Sequence, residues 1–259
     1  MSGLPAPAGF KDLFSRDSTA YAKFRPRYPA PLFDWVSRLP AKRHLAWDCA
    51  TGNGQSATML APHFERVAAS DASVAQLRAA DRADRVHYFA ASVEQSALAP
   101  ARVDLVTVAQ AFHWLDHARF FAEVDRVIAP GGAVAIWSYA LLRSTPAIDA
   151  VLQAFYDGEI GPYWLPERRL VEQGYRSIPI PIDEVAAPEF VIEGRLNFAQ
   201  FIGYIRTWSA VGRYIAAQGH DPVEGFVQRL APVWGDPGRL ERIVWPVTVR
   251  AGRWRGAAA

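Results

Sequence analysis

Through the first 140 residues, short apolar runs alternate with stretches whose apolar positions recur at helical spacing. The runs at 44–48, 66–70, 85–90, 103–110 and 133–137 predict strands, and their sparse polar content suits strands buried on both faces. Residues 55–62 and 73–80 predict helices between them. Alternation of this kind predicts an α/β sheet with mostly parallel neighbours. Acids and glycines cluster where these strands end, and open α/β sheets bind their ligands at strand C-termini. Beyond residue 140 the alternation stops. Residues 146–157 predict a helix with Ile148, Val151, Leu152 and Phe155 on one face, and prolines then break 161–181. A strand is predicted at 190–192, a helical region at 197–214, and a last strand at 242–250. Pro246 places that strand near an edge or a bulge.

The candidate chemistry starts where the first strand ends, in Asp48-Cys49-Ala50-Thr51-Gly52-Asn53-Gly54. Gly52 and Gly54 permit a turn that brings a ligand against the main chain. Asp48 narrows what that ligand is. A pyrophosphate 4 Å away would be repelled by about 4 kcal/mol at an effective dielectric near 20, whereas a cationic amine would be attracted. The run Gly52 to Ala57 also fits the dinucleotide pattern G-x-G-x-x-A, so a dinucleotide-dependent oxidoreductase stays as an alternative. Asp71, 23 residues beyond Asp48 at the end of the adjacent strand, suits the two hydroxyls of a ribose, or the N-cap of the next helix.

The order Asp48-x-x-Thr51-Gly52-x-Gly54, with Asp71 and the three strands that follow, resembles the class I S-adenosylmethionine-dependent methyltransferases over residues 44–138. The resemblance implies a doubly wound, mostly parallel seven-stranded sheet under a helical lid, with S-adenosylmethionine as cofactor. It assigns Asp48, Thr51, Gly52 and Gly54 to the methionine end, Asp71 and Ala72 to the ribose, and Ser92 and Val93 to the adenine. Family members commonly carry an acid where this chain has Ser92. Gln110 and His113 would border the reacting methyl, with His113 as a base or a positioning donor. Tyr21 and Arg25 belong to a Tyr-x3-Arg-Pro-x-Tyr-Pro segment that folds over the cofactor in similar enzymes. The segments 174–179 and 204–210 resemble the trans-aconitate methyltransferase-like branch, which implies acceptor contacts from Trp114, Tyr175 and Arg206. The expected organisation is therefore an N-terminal segment (1–30), a cofactor-binding core (31–140), a lid (141–239) and a returning strand with its tail (240–259).

Composition removes other classes. The 28 basic and 26 acidic side chains leave a net charge of +2, which is no footprint for nucleic acid. No apolar run approaches the roughly 20 residues of a membrane span, and the start of the chain lacks signal-peptide character. The single cysteine, Cys49, precludes an internal disulfide and fits a reducing cytoplasm. His113, Asp116 and His117 would share a helical face but have no partner cluster, so no metal is expected. The expected function is methyl transfer from S-adenosylmethionine to a small molecule, on an oxygen of a carboxylic acid. A noncatalytic cofactor-binding protein is the third possibility. Acceptor identity and oligomeric state are not legible in the sequence.

Overall fold

Two strands at the centre carry the sheet. β1 (Leu45–Cys49) and β4 (Val103–Ala109) lie side by side in parallel, and every residue from Val103 to Val108 is buried. Their side chains alternate between two apolar layers. Ala46 and Leu105 pack on one face with Leu32, Phe33 and Val36 of α1 (Ala30–Val36) and with Ala57 and Leu60 of α2 (Gln55–Leu60). Trp47, Val106 and Val108 pack on the other with Phe120, Val124 and Val127 of α4 (His117–Val127). A polar residue within β4, Asp104, is matched where β1 begins: its carboxylate accepts from the backbone N–H groups of His44 (2.7 Å) and Leu45 (3.0 Å).

The computed structural model describes residues 26–256. β2 (Arg66–Asp71) and β3 (Val86–Ala90) extend the parallel sheet beyond β1, with α3 (Val74–Arg78) between them in sequence, and β5 (Ile128–Tyr139) extends it beyond β4. Strand order therefore reverses between β1 and β4, the crevice where open α/β sheets receive ligands. Residues 129–132 lie inside β5 as an irregularity. Val103 pairs with Ile128 and Leu105 with Ala133, so two steps along β4 face five along β5.

The chain closes the sheet antiparallel, through β8 (Glu241–Trp254). This strand changes neighbours along its length. Residues 247–253 pair with β5, whereas 241–247 pair with β7 (Phe190–Leu196) and 252–254 with β6 (Ile182–Glu184). Pro246 sits where the β5 pairing stops, a place that tolerates a residue with no N–H to give. The sheet thus has eight strands, not the seven expected. The addition is β6, three residues after a proline-rich stretch, too short to give a periodic signal.

The lid has a core of its own. α5 (Pro146–Ala154), a π-helical turn at Phe155–Glu159, α7 (Phe198–Arg206), α8 (Ser209–Gln218) and α9 (Val223–Trp234) enclose Phe155, Phe201, Phe226 and Trp234 with Ile192, Ile243 and Trp245 of β7 and β8. α7 starts at a capping box, in which Asn197 accepts from the Gln200 N–H while the Gln200 side chain accepts from that of Asn197. Among the described residues no helix is long and apolar enough to cross a membrane.

Two glycines separate packing from backbone entropy. A Cβ on Gly252 of β8 would stand 2.1 Å from the Asp183 carbonyl oxygen, whereas one on exposed, helical Gly212 would meet nothing within 4 Å. Gly212→Ala is expected to stabilise by about 0.5–1 kcal/mol. Gly252→Ala is expected to lower stability by about 2 kcal/mol or more, through loss of the β6 pairing. Thermal melts of both variants test the contrast. Equal shifts would contradict the close β6–β8 approach.

Candidate cofactor and acceptor site

Asp48 is the penultimate residue of β1 and is 1% exposed. It accepts hydrogen bonds from the hydroxyl of Thr51 in the following turn and from that of Thr107 on β4 (2.7 Å). The Ala57 N–H, in the first turn of α2, also favours its charge. Burial outweighs these contacts, with the nearby Asp71 adding to it, and the Asp48 pKa rises from 3.8 to about 6. The turn itself is tied down. Thr51 N–H donates to the Ser70 carbonyl (2.9 Å), Gly54 N–H to the Thr51 carbonyl (3.0 Å), and Gly52 N–H to Asp71 (2.8 Å). Gly52 and Gly54 take left-handed angles (φ +57 and +84). Over Gly52 a Cβ would meet nothing within 4 Å, so this face of the backbone lies open to a ligand. Over Gly54 a Cβ would strike the Tyr88 hydroxyl.

Asp71 is oriented by two backbone donors, Gly52 N–H and Ser73 N–H, both at 2.8 Å. Two bonds from backbone donors fix the plane of the carboxylate. The N-cap of α3 is Ser73, whose hydroxyl accepts from Gln76 N–H. Ala72 lies half-buried between the two. In the loop after β3, Val93 is buried and the Ser92 hydroxyl donates to Glu94. Glu94 was not among the expected site residues; its carboxylate accepts from the Ser92 hydroxyl, which brings an acid to the position of Ser92 from two residues on.

At the end of β4, Gln110 adopts φ +55, uncommon for a residue with a side chain. Its main-chain N–H donates to Trp137 O (2.9 Å), and its amide oxygen accepts from Tyr139 N–H (3.0 Å), so Gln110 continues the β4–β5 pairing with its side chain. His113 and Trp114 follow in a 3-10 turn, Phe112–Trp114. His113 Nδ1 lies 3.1 Å from the hydroxyl of Tyr175, whose ring is parallel to the imidazole and completely buried. Burial lifts the Tyr175 pKa well above its ordinary value, so the phenol keeps its proton. Tyr175 therefore reaches the site through His113. Its carbonyl accepts from Arg250 (2.8 Å), which also pairs with Glu184. Arg206 is 51% exposed and pairs with Asp221 (3.1 Å). Tyr21 and Arg25 lie outside the described residues.

The site suits a cation and opposes a phosphate. Asp48 and Asp71 face the open glycine turn, and repulsion by two acids disfavours the dinucleotide alternative. The open backbone at Gly52 and the oriented Asp71 carboxylate fit S-adenosylmethionine. Cys49, wholly buried, has its thiol pKa pushed up by burial and is an inert filler. Asp116 caps α4 through Arg119 N–H, and His117 Nε2 lies 3.0 Å from the Phe112 carbonyl, so neither joins His113. Among the described residues no three His, Cys, Asp or Glu side chains are placed to hold a metal ion.

Comparison with known proteins agrees with this geometry. A family model described as a methyltransferase domain matches residues 47–136. A candidate methyltransferase of Dictyostelium discoideum is 34% identical over 224 residues, 85% of this chain and 85% of that protein. An uncharacterized methyltransferase of Mycobacterium tuberculosis is 36% identical over 121 residues, 46% of this chain and 49% of its own length. A solved structure of a candidate type II methyltransferase from Anaeromyxobacter dehalogenans superposes with a TM-score of 0.84 at 45% identity, covering 89% of this chain and 98% of that one.

The raised pKa of Asp48 fixes the sign of a pH effect. Between about pH 4 and 6 the folded state binds the Asp48 proton that the unfolded state has released, so the stability contributed by protonated Asp48 is lost as pH rises through that window. Asp48→Asn removes this loss and is expected to stabilise the fold at pH 8 by up to about 3 kcal/mol, with no gain near pH 3.5. The same variant is expected to bind S-adenosylmethionine at least tenfold more weakly. Melting curves at the two pH values and calorimetric titration check both. A variant destabilised at pH 8 would show that the carboxylate holds the turn more than burial opposes it.

Proposed function

The chain belongs to the class I S-adenosylmethionine-dependent methyltransferases, and we propose that it methylates a small molecule on an oxygen of a carboxylic acid. The observation that carries this reading is His113 at the β4 end held by Tyr175, a residue of the 141–239 stretch that packs in the sheet's core, beside a lid with an aromatic core of its own. A site covered in this way suits a small acceptor. The likeness of 174–179 and 204–210 to the trans-aconitate methyltransferase-like branch supports a carboxylic acid.

When bound, S-adenosylmethionine supplies an electrophilic methyl on a sulfonium. The residues of this chain then have three tasks. Asp48 attracts the methionine ammonium through the electrostatic field of the turn, because its oxygens already accept from Thr51 and Thr107. Thr51, Gly52 and Gly54 present the turn. Asp71, with Ala72, takes the ribose, and Ser92, Val93 and Glu94 border the adenine. Gln110 and His113 hold the acceptor oxygen in line with the methyl, within the roughly 3–3.5 Å that displacement needs, with Trp114 excluding water. A carboxylate is already nucleophilic, so His113 acts here by hydrogen bonding. The enzyme works in the cytoplasm.

Calorimetric titration with S-adenosylmethionine, followed by transfer of a labelled methyl to a panel of small carboxylic acids, tests the proposal. Micromolar cofactor binding and base-labile label, the mark of an ester, are expected, and His113→Ala is expected to lower kcat/KM about 10²-fold. Label that resists base, placed on nitrogen or carbon, would overturn the carboxylate assignment.

A further inference from the structure

The lid contains a cation whose position neither the sheet nor the cofactor explains. Arg168 opens α6 (Arg168–Glu172), and its side chain is only 20% exposed. Its guanidinium carbon lies 5.0 Å from the centre of the Trp164 ring and 5.7 Å from that of Tyr156. Nε donates to the Tyr156 hydroxyl (2.8 Å), which itself donates to Glu172. Glu172 approaches Arg168 at Nε, at 3.7 Å. The two terminal nitrogens have no hydrogen-bond or ion-pair partner among the described residues. A guanidinium anchored at Nε and stacked on two rings presents its terminal fork with little freedom left to lose.

A second observation stands beside it. The indole N–H of Trp164 is buried and donates to no described residue. Buried polar groups in folded proteins are almost always partnered, so an orphaned donor next to an unpaired fork marks a place for an acceptor-rich group. The surrounding walls are flat. Trp164 packs against Tyr156 at 5.0 Å and Trp208 at 5.7 Å, and Trp208 meets the edge of Tyr204. The helix Arg168–Glu172 packs against the 3-10 turn Phe112–Trp114, which places Arg168 on the side of the lid that meets His113.

We propose that Arg168 and Trp164 form an anion-anchoring subsite for the methyl acceptor, and that the acceptor is a flat aromatic acid. One carboxylate rests on the Arg168 fork with the indole N–H beside it, and the ring lies against Trp164, Tyr156 and Trp208. A carboxylate held by both oxygens on a guanidinium is a poor nucleophile, so the oxygen that is methylated belongs to a second group on the same acceptor. This inference rests on the small-acid reading above. It assigns the anchor to Arg168 in place of Arg206, whose side chain is more than half exposed and engages Asp221 through a terminal nitrogen.

Benzoate and its neutral isostere benzamide are the probes, titrated into the full chain while indole fluorescence and heat are followed. Benzoate is expected to bind at least tenfold more tightly than benzamide, a preference that Arg168→Gln abolishes. Trp164→Phe is expected to weaken benzoate about fivefold. Thermal melts identify a variant that fails to fold. Arg168→Lys, which keeps the charge and loses the fork, then replaces Arg168→Gln and is expected to lose most of the preference. Absent benzoate binding, equal binding of the two probes, or a preference that survives loss of the fork would overturn the subsite. Ester formation that persists in Arg168→Gln would overturn it and leave the proposed function standing. Arg168-dependent benzoate binding without ester formation from any acid would do the reverse.

Discussion

One buried carboxylate organises the cofactor end of this protein. Asp48 joins three elements at once: β1, which carries it; the glycine turn, through Thr51; and β4, through Thr107. The Ala57 N–H adds the first turn of α2. Burying a charge among so few donors is unfavourable, as its raised pKa shows. A neutral side chain of the same shape would stabilise the fold and remove the field at the turn. The site is thus built against the local optimum of stability, a compromise common where binding needs a charge in a fixed place.

Much of the core was legible because parallel strands covered on both faces read as apolar runs. β1, β2, β3 and β4 were found within a residue or two. What stayed hidden depends on contacts distant in sequence. β6 is a strand only because Ile182–Glu184 finds residues 252–254 across a large separation. Gln110 reads as an ordinary site residue, yet its amide continues a ladder with Tyr139 that no local pattern encodes. In sequence Arg206 stood out from the other lid arginines, Arg168 among them, because it lies in the family-like segment 204–210. Asp221 distinguishes the first, and the Tyr156 and Trp164 rings distinguish the second.

β8 explains how a lid with a separate core stays registered on the sheet. Its second half is hydrogen-bonded to β5, whose end borders the site, while its first half pairs with β7 and carries Ile243 and Trp245 into the lid. One extended strand therefore belongs to both cores. Arg250, on the same strand, adds a second link by binding the carbonyls of Tyr175 and Ile178, both at 2.8 Å. The segment that presents Tyr175 to His113 is thereby held on the sheet's own core.

That linkage limits what His113 does. Burial keeps the Tyr175 phenol protonated across the physiological range, and one imidazole nitrogen is held against it. A phenol that keeps its proton can donate it to Nδ1, and in that order the imidazole proton resides on Nε2. His113 then offers a donor to an acceptor oxygen. A donor aids a reaction whose nucleophile is already anionic and does little for an alcohol that must lose a proton. The hydrogen-bond order behind His113 therefore favours the same class of acceptor that the unpaired fork of Arg168 does, although the two features share no residue.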